Sequence, residues 1–425
     1  MQILKKKVKS ICPICYNSSN GKIIQKNNLI ILKKKCKIHG ISETIIETDV
    51  NFYKAMINKK QYTNKIKSTK FTIPITKKCN LKCDYCYYFF NKEKDLNLKK
   101  IKKLIKNYKG TYISLSGGEP TLKNDLFEII KFIKKNKQIS NLSTNGILLE
   151  NEKFVKKLKK AGLNMIHFSL NSLDKNILKN MHNKDILNKK IKALKNIKKN
   201  EIGILISFLL EKNNNENDLK KITHYCLNNN PFVSEIRIRT TSPTGKYNSK
   251  ESYYMSEMVE LICKIFNISK NDVIQKLKKI KKDKKYCNIN IDFLIEYKNK
   301  KINTIGWSLH TFIKKYSVEG NIFKLLSKNK ITKNIFSKLS IIKYINNKNP
   351  INFVLYLLNL IKFKKNLKTL RIGLRVWPNE HTLDLDLINM CPSETLNYDN
   401  KKMKFCLSHI YNNAKIKGKE KNFLK

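Results

Sequence analysis

Cys79-Asn80-Leu81-Lys82-Cys83-Asp84-Tyr85-Cys86 follows directly on a short strand-like run, Phe71 to Thr76. Soft thiolates select zinc or iron–sulfur clusters. A cubane cluster normally takes four cysteines, so three at CxxxCxxC spacing leave one iron without a protein ligand. An open metal position is where a substrate or cofactor binds, as in catalytic zinc sites. Two plainer readings stand beside this one. Positions i, i+4 and i+7 share a helix face and would also suit three core thiols, and three thiolates would also suit a zinc ion.

The next motif bears on that choice. Ser116-Gly117-Gly118-Glu119-Pro120 follows a second strand-like run, Tyr112 to Leu115, and precedes a helix starting near Asn124. Two glycines let backbone approach a ligand closely. CxxxCxxC on one βα loop and GGEP on the next resembles the radical S-adenosylmethionine (SAM) superfamily. That resemblance implies a [4Fe–4S] cluster on Cys79, Cys83 and Cys86, with SAM chelating the open iron. It also implies reductive cleavage of SAM to a 5′-deoxyadenosyl radical that abstracts hydrogen.

Outward from these motifs the chain alternates strands and helices, which argues βα units and a parallel sheet. Strands are predicted at 71–76, 112–116, 138–143, 164–170, 202–210 and 233–240. Helices are predicted near 97–108, 124–136, 150–161, 174–199 (broken around Asn183) and 216–229. In such folds the ligand sits at the strand C-termini, where all the motifs fall. The resemblance then assigns cofactor-binding roles. Tyr85 would lie against adenine, and Gly117, Gly118 and Glu119 would meet the methionine amino group. Ser143 and Asn145 would touch ribose or carboxylate, and Ser169 and Asn171 form the fourth-strand polar pair. Ser207, in an otherwise apolar strand, needs a partner. His167 shares a strand face with Ser169; a general acid is one reading and a satisfied barrel histidine the plainer one.

The first fifty residues read as a metal module. Cys12-Pro13-Ile14-Cys15 and Cys36-Lys37-Ile38-His39 are two ligand pairs flanking a hairpin at Lys22 to Leu32. Four such ligands suit one tetrahedral ion, zinc or rubredoxin-like iron, and a segment so poor in core residues needs a staple. Residues 51–70 read as a linker, 71–245 as the barrel core and 246–425 as a C-terminal substrate or auxiliary region. Ser242 to Gly245 is a turn closing the barrel; in the C-terminal region 311–362 is amphipathic helix and Leu370 to Trp377 a strand. Cys226, Cys263 and Cys287 read as buried thiols. Cys391, Cys406 and His409 have metal-like spacing, but fall one ligand short of an auxiliary cluster. The fold class is α/β: a partial (β/α)6 TIM-like barrel, a small N-terminal metal ribbon and a mostly helical C-terminal region.

The net charge is +56, with 84 lysines against four arginines in 425 residues. Abundant Lys, Asn and Ile point to codon bias. Read functionally, the charge attracts anionic partners such as lipid headgroups, nucleic acid or acidic peptide. The rare arginines are more telling, because Lys does not replace a bidentate donor. Arg237 and Arg239 share one strand face, with Arg239 counted among the cofactor-binding residues; Arg371 and Arg375 share another. Eleven cysteines, no apolar run after the basic opening and none long enough to span a bilayer indicate the cytoplasm. Ile351 to Phe363 reads as a buried helix, or one lying on a membrane surface.

A CPxC…CxxHG module ahead of this core is similar to the tetraether lipid synthase-like proteins, which couple lipid chain ends. Members usually carry further cysteines before the core, whereas 51–78 has none. The alternatives are a radical SAM peptide or cofactor maturase and, outside enzymes, a basic metal-ribbon nucleic-acid-binding protein. The expected partners are a low-potential donor of the flavodoxin or ferredoxin kind and an anionic substrate, lipid or peptide. Peripheral membrane contact fits a lipid substrate; no specific nucleic acid is expected.

Overall fold

The computed structural model describes residues 2–57, 68–88, 95–230, 232–242, 252–279, 288–310 and 366–425. Pro243 to Gly245, Cys287, the helices expected at 311–362 and the apolar run ending at Phe363 lie outside the described residues.

The ribbon is a four-stranded antiparallel sheet of β1 (Gln2–Ile11), β2 (Ser18–Lys26), β3 (Leu29–Cys36) and β4 (Gly40–Glu47). The expected hairpin is β2–β3, with Ile23 opposite Leu32 and Asn27 left-handed at the turn. The expected linker begins as structure. Helix α1 (Val50–Met56) is capped by Asp49 and buries Phe52 and Ala55 in the main core. Two apolar residues three apart on a capped segment suffice to dock one helical turn.

The barrel strands are β5 (Lys70–Thr76), β6 (Tyr112–Gly117), β7 (Ile139–Thr144), β8 (Met165–Ser169), β9 (Gly203–Leu210) and β10 (Val233–Thr240). They pair in parallel in sequence order. Between them run α2 (Leu98–Asn107), α3 (Leu126–Lys135), α4 (Glu152–Ala161), α5 (Lys175–His182), α6 (Leu187–Lys199) and α7 (Glu216–Asn228). The break anticipated at Asn183 is real: that residue is left-handed and ends α5. Leu, Ile and Phe from strands and helices fill one continuous core.

The C-terminal region is not mostly helical among its described residues. Besides α8 (Met255–Phe266) and α9 (Lys270–Lys279) it contributes β11 (Asn288–Lys298), β12 (Lys301–His310), β13 (Leu367–Arg375), β14 (Ser393–Leu396) and β15 (Lys402–Lys404). Then come α10 (Leu385–Asn389) and α11 (Phe405–Ile416). Ile289, Ile291, Phe293 and Ile295 alternate along β11 and are buried, the period of a strand with one face on the core. β13 continues the barrel beyond β10, and β14 pairs with β5 at the opposite edge. Both exposed edges of the six-stranded unit are thereby covered.

The ribbon docks on the C-terminal segment. Tyr16 donates to Glu380 Oε1 (3.0 Å), Lys34 Nζ to the Glu380 carbonyl (2.8 Å), and Ser10 to the Leu383 carbonyl (2.7 Å). Among the described residues no helix is long and apolar enough to cross a membrane.

Candidate active site and metal centre

In the ribbon the two cysteine turns bring Cys12, Cys15, Cys36 and His39 together, their ligand atoms all within 4.8 Å of one another. Cys15 and Cys36 sulfurs are 3.8 Å apart, and His39 Nδ1 is 3.7 Å from both Cys12 and Cys36. Bonds of ~2.3 Å to one tetrahedral ion give ligand edges of about 3.8 Å. The Ile14 and Ile38 N–H groups donate to Cys12 and Cys36 sulfurs, both at 3.4 Å. Burial raises the Cys36 thiol, but hydrogen bonds from His39 and the Ile38 N–H outweigh it and pull the pKa to about 6. That favours the thiolate a metal needs.

Cys79, Cys83 and Cys86 behave differently. All three line one cavity of about 1360 Å³ at the C-terminal ends of the barrel strands. They therefore do not pack as core thiols. Nor are they gathered within 4.8 Å; among the described residues only the ribbon ligands are. Three thiolates facing a large cavity suit an iron–sulfur group with room for a further ligand. Burial pushes the Cys83 thiol up to about 12 against the opposing charge of Lys190, and pushes Cys79 upward too.

The double glycine packs closely on the strand and loop before the first cysteine. Gly117 has φ +126, and a Cβ there would meet the Thr76 carbonyl at 2.1 Å; at Gly118 it would meet the Lys78 carbonyl at 2.2 Å. Gly118 N–H donates to Thr76 O (2.9 Å) and Glu119 N–H to Lys78 O (2.8 Å). The close approach is thus to the cysteine loop's own backbone. Glu119 is buried, and its carboxylate accepts four donors: Thr121 N (3.1 Å), Thr121 Oγ1 (2.6 Å), Thr144 Oγ1 (2.7 Å) and Asn145 N (2.8 Å). Burial pushes its pKa up, and those bonds pull it back.

The other expected residues surround the same cavity. Ser143, Asn145, Ser169, Asn171, Ser207 and Arg239 all line it. Asn145 Nδ2 donates to Asn80 Oδ1 (2.8 Å), joining the third-strand loop to the cysteine loop. Tyr85 is held through its hydroxyl, which accepts from Asn171 Nδ2 (2.8 Å) and faces the His182 ring edge-on. Ser207 has the partner it needed, accepting from Arg239 Nη2. His167 is not a satisfied barrel histidine: its Nε2 is buried with no partner. Burial, with the charges of Lys70, Arg237 and Arg239, holds its pKa well below the usual imidazole value.

The four arginines divide. Arg237 pairs with Glu235 on its own strand (2.8 Å), Arg371 grips Asp292 with two bonds (2.6 and 2.9 Å), and Arg375 donates to Asn290 (2.8 Å). Arg239 instead lies over Trp377, 5.1 Å from the ring centroid, with its Nε buried and unpartnered. Trp377 stacks on His409 (5.1 Å, 11°), whose edges meet Tyr87 and Phe405. His409 thus sits in a cage of rings, and Cys391, Cys406 and His409 do not gather within 4.8 Å. The three therefore form no compact single-ion group, and the auxiliary-cluster expectation stays one ligand short.

Two buried residues escaped the sequence. His182 Nδ1 is 3.1 Å from Cys83 Sγ. Lys190, fully buried on α6, donates to the carbonyls of Asn145 (2.8 Å) and Ser169 (2.6 Å), and burial lowers its pKa to about 8. Sequence offered only a weak signal for either: a polar residue on the inward face of a crossover helix.

Residues 73–226 match the model of the radical SAM superfamily, and residues 4–48 match the HMPTM N-terminal zinc ribbon domain. A probable GTP 3′,8-cyclase of Methanococcus aeolicus is 33% identical over 245 residues, which are 55% of this chain and 78% of that protein. The chain belongs to the radical SAM superfamily. A 7,8-dihydro-6-hydroxymethylpterin dimethyltransferase of Methanocaldococcus jannaschii is 30% identical over 281 residues, 58% of this chain. This radical SAM chain spans about half the length of that relative, 55%. The crystal structure of Streptococcus suis SuiB bound to precursor peptide SuiA aligns with a TM-score of 0.43 at 20% identity, over 49% of this chain and 47% of that one. The ribbon model is the HMPTM one, and neither named relative is a lipid enzyme.

Proposed function

We propose that this radical SAM enzyme acts on a small, flat, polar heterocycle of the pterin or purine kind. The observation that carries the reading is Arg239: a guanidinium laid on Trp377, with a buried unpartnered Nε, in the cavity that the cluster cysteines line. A buried donor without an acceptor calls for a ligand acceptor, and an aromatic–arginine platform suits a flat ring. His167 Nε2 and the Thr240 and Thr241 hydroxyls add unpartnered polar atoms in the same cavity. The pterin and GTP of the relatives' names are heterocycles of this kind.

Cys79, Cys83 and Cys86 hold a [4Fe–4S] cluster, and SAM completes it beside Ser143, Asn145, Ser169 and Asn171. The bound pair supplies a 5′-deoxyadenosyl radical on one-electron reduction, from a flavodoxin- or ferredoxin-like donor. Glu119 keeps the glycine loop and the third-strand loop in register, and Gly117 and Gly118 seat them on the cysteine turn. Arg239, oriented by Ser207, and His167 position the substrate ring and exclude water from it. The ribbon holds zinc as a structural staple.

Lipid coupling of the tetraether-synthase kind keeps one argument, the apolar wall that Ile23, Leu32, Ile45 and Met56 give the cavity on the ribbon side. The polar strand-end lining weighs against a hydrocarbon chain at the reacting centre. A peptide substrate has no side chain in the cavity that singles it out.

The test is anaerobic reconstitution, then incubation with SAM, dithionite and either 7,8-dihydro-6-hydroxymethylpterin or GTP. The expected result is 5′-deoxyadenosine release stimulated by one heterocycle, with a matching product mass, and loss of that stimulation in Arg239→Ala. Equal release with and without either heterocycle, unmoved by Arg239→Ala, refutes the substrate class.

A further inference from the structure

Cys83 is the only one of the three cavity cysteines, among the described contacts, that meets an imidazole. Its Sγ lies 3.1 Å from Nδ1 of His182, the last residue of α5, and His182 is 2% exposed. The Tyr85 hydroxyl stands 3.2 Å from the same ring. Behind Tyr85 the direction of each bond is determined. Asn171 Oδ1 accepts from the Leu209 N–H (3.0 Å), so its amide nitrogen faces the tyrosine and donates to it at 2.8 Å. Asn215 Nδ2 locks this arrangement by donating to the carbonyls of Asn171 (2.9 Å) and Leu209 (2.8 Å).

The tyrosine oxygen is therefore an acceptor, and its one hydrogen points onward to His182 or Cys83. A neutral imidazole has one N–H and one bare nitrogen. The hydroxyl is 3.2 Å from both ring nitrogens, so its hydrogen can reach Nε2 in the tautomer that keeps the imidazole hydrogen on Nδ1, against sulfur. The chain of donors runs from the β9 backbone through Asn171, Tyr85 and His182 to the sulfur.

We propose that His182 is a positioning residue that donates its Nδ1 hydrogen to the cluster-bound Cys83 thiolate, and that the Asn171–Tyr85 chain favours that tautomer by offering a hydrogen to Nε2. This rests on the reading of Cys79, Cys83 and Cys86 as cluster ligands. Hydrogen bonds to cluster sulfurs and the partners that orient ligands set the reduction potential. A donor on the thiolate stabilises the more negative, reduced state, so it makes the cluster easier to reduce. The residue thus tunes electron entry through the Cys83 sulfur.

The experiment reconstitutes wild type, His182→Leu, His182→Asn and His182→Gln anaerobically. Iron and sulfide are counted, and each chain is titrated under EPR at fixed pH. The Leu variant is expected to take up an electron about tenfold less favourably, a fall of about 59 mV for one electron. Asn, whose amide nitrogen can stand where Nδ1 stands, restores most of the shift; Gln, one methylene longer, does not. A Leu variant with full iron and the wild-type potential overturns the proposal. So does ¹⁵N coupling showing His182 bonded to iron, which would make it a ligand. Where Leu fails to load, Asn and Gln decide: equal wild-type potentials overturn the proposal, and a shift in Gln alone supports it. A wild-type chain that binds its ribbon ion but no further iron overturns the cluster reading itself.

Discussion

Glu119→Gln separates two roles for the GGEP glutamate. If the carboxylate orders the loops, its four donors matter; if it binds ligand, its charge does. Three donors converge on Oε1 (Thr121 N, Thr121 Oγ1, Thr144 Oγ1) and one on Oε2 (Asn145 N). A glutamine has one acceptor oxygen. With that oxygen at the Oε1 position the Asn145 N–H faces an NH₂. Flipped, the NH₂ can donate to both threonine hydroxyls, but the Thr121 N–H is then orphaned. Either way one buried backbone donor loses its acceptor, a cost of ~1–3 kcal/mol. The charge-assisted character of the remaining bonds is lost as well. Relief from burying a charge offsets part of this, leaving about 2 kcal/mol. Hydrogen-exchange mass spectrometry over residues 117–146 should then show amides exchanging roughly 30-fold faster, with SAM binding weakened only in proportion. Unchanged exchange across that stretch with SAM binding abolished would refute the structural argument and return the carboxylate to the ligand.

Three further outcomes follow from the geometry. Lys34 is buried and its pKa is lowered to about 8 by desolvation, against 10.5 for an ordinary lysine. Between those values the unfolded chain holds the extra proton, so stability rises with pH by up to ~1.4 kcal/mol per unit; urea midpoints at pH 8 and 10 should show a steeper rise in wild type than in Lys34→Met. Arg371→Ala breaks a two-bond pair whose side chains are 20% and 23% exposed. It should cost about 2 kcal/mol, less than the ~3–5 of a fully buried pair, while leaving 5′-deoxyadenosine release intact; Arg239→Ala should do the reverse. Cys36→Ser should release about one zinc per chain by mass spectrometry. Because Tyr16 and Lys34 hold Glu380 from the ribbon, it should also open residues 378–390 to proteolysis.

The barrel was legible because each βα unit closes on local signals: an apolar strand, a capped amphipathic helix and a polar loop. The six strands fall within about two residues of their predicted limits. Of the C-terminal strands, alternation at Leu370 to Trp377 anticipated β13, but the others were not legible, because their partners are remote. Thr395 donates to the Thr72 carbonyl 323 positions away, and a four-residue strand whose edge is set by such a partner carries no period of its own. The ribbon ligands were readable from paired spacing, since metal geometry constrains sequence directly.

The candidate site shows why strand-end motifs and helix-borne groups differ. A parallel barrel delivers whatever follows each strand to one face, so Cys79 to Cys86, GGEP, Ser143 and Ser169 needed no tertiary information to be gathered. His182 and Lys190 arrive from helices, where an inward polar side chain looks like an interruption of the apolar stripe. Their targets, Cys83 and the carbonyls of Asn145 and Ser169, lie 99, 45 and 21 positions away. Glu119 shows the complementary limit. Sequence shows that an acid is required at that position, but not whether a ligand or four loop donors require it. The same logic gives Arg239 its weight. In a chain where lysine has displaced nearly every arginine, three of the four serve pairs or backbone already present. The fourth has a buried N–H with nothing yet to bind, in the cavity where the cluster cysteines open.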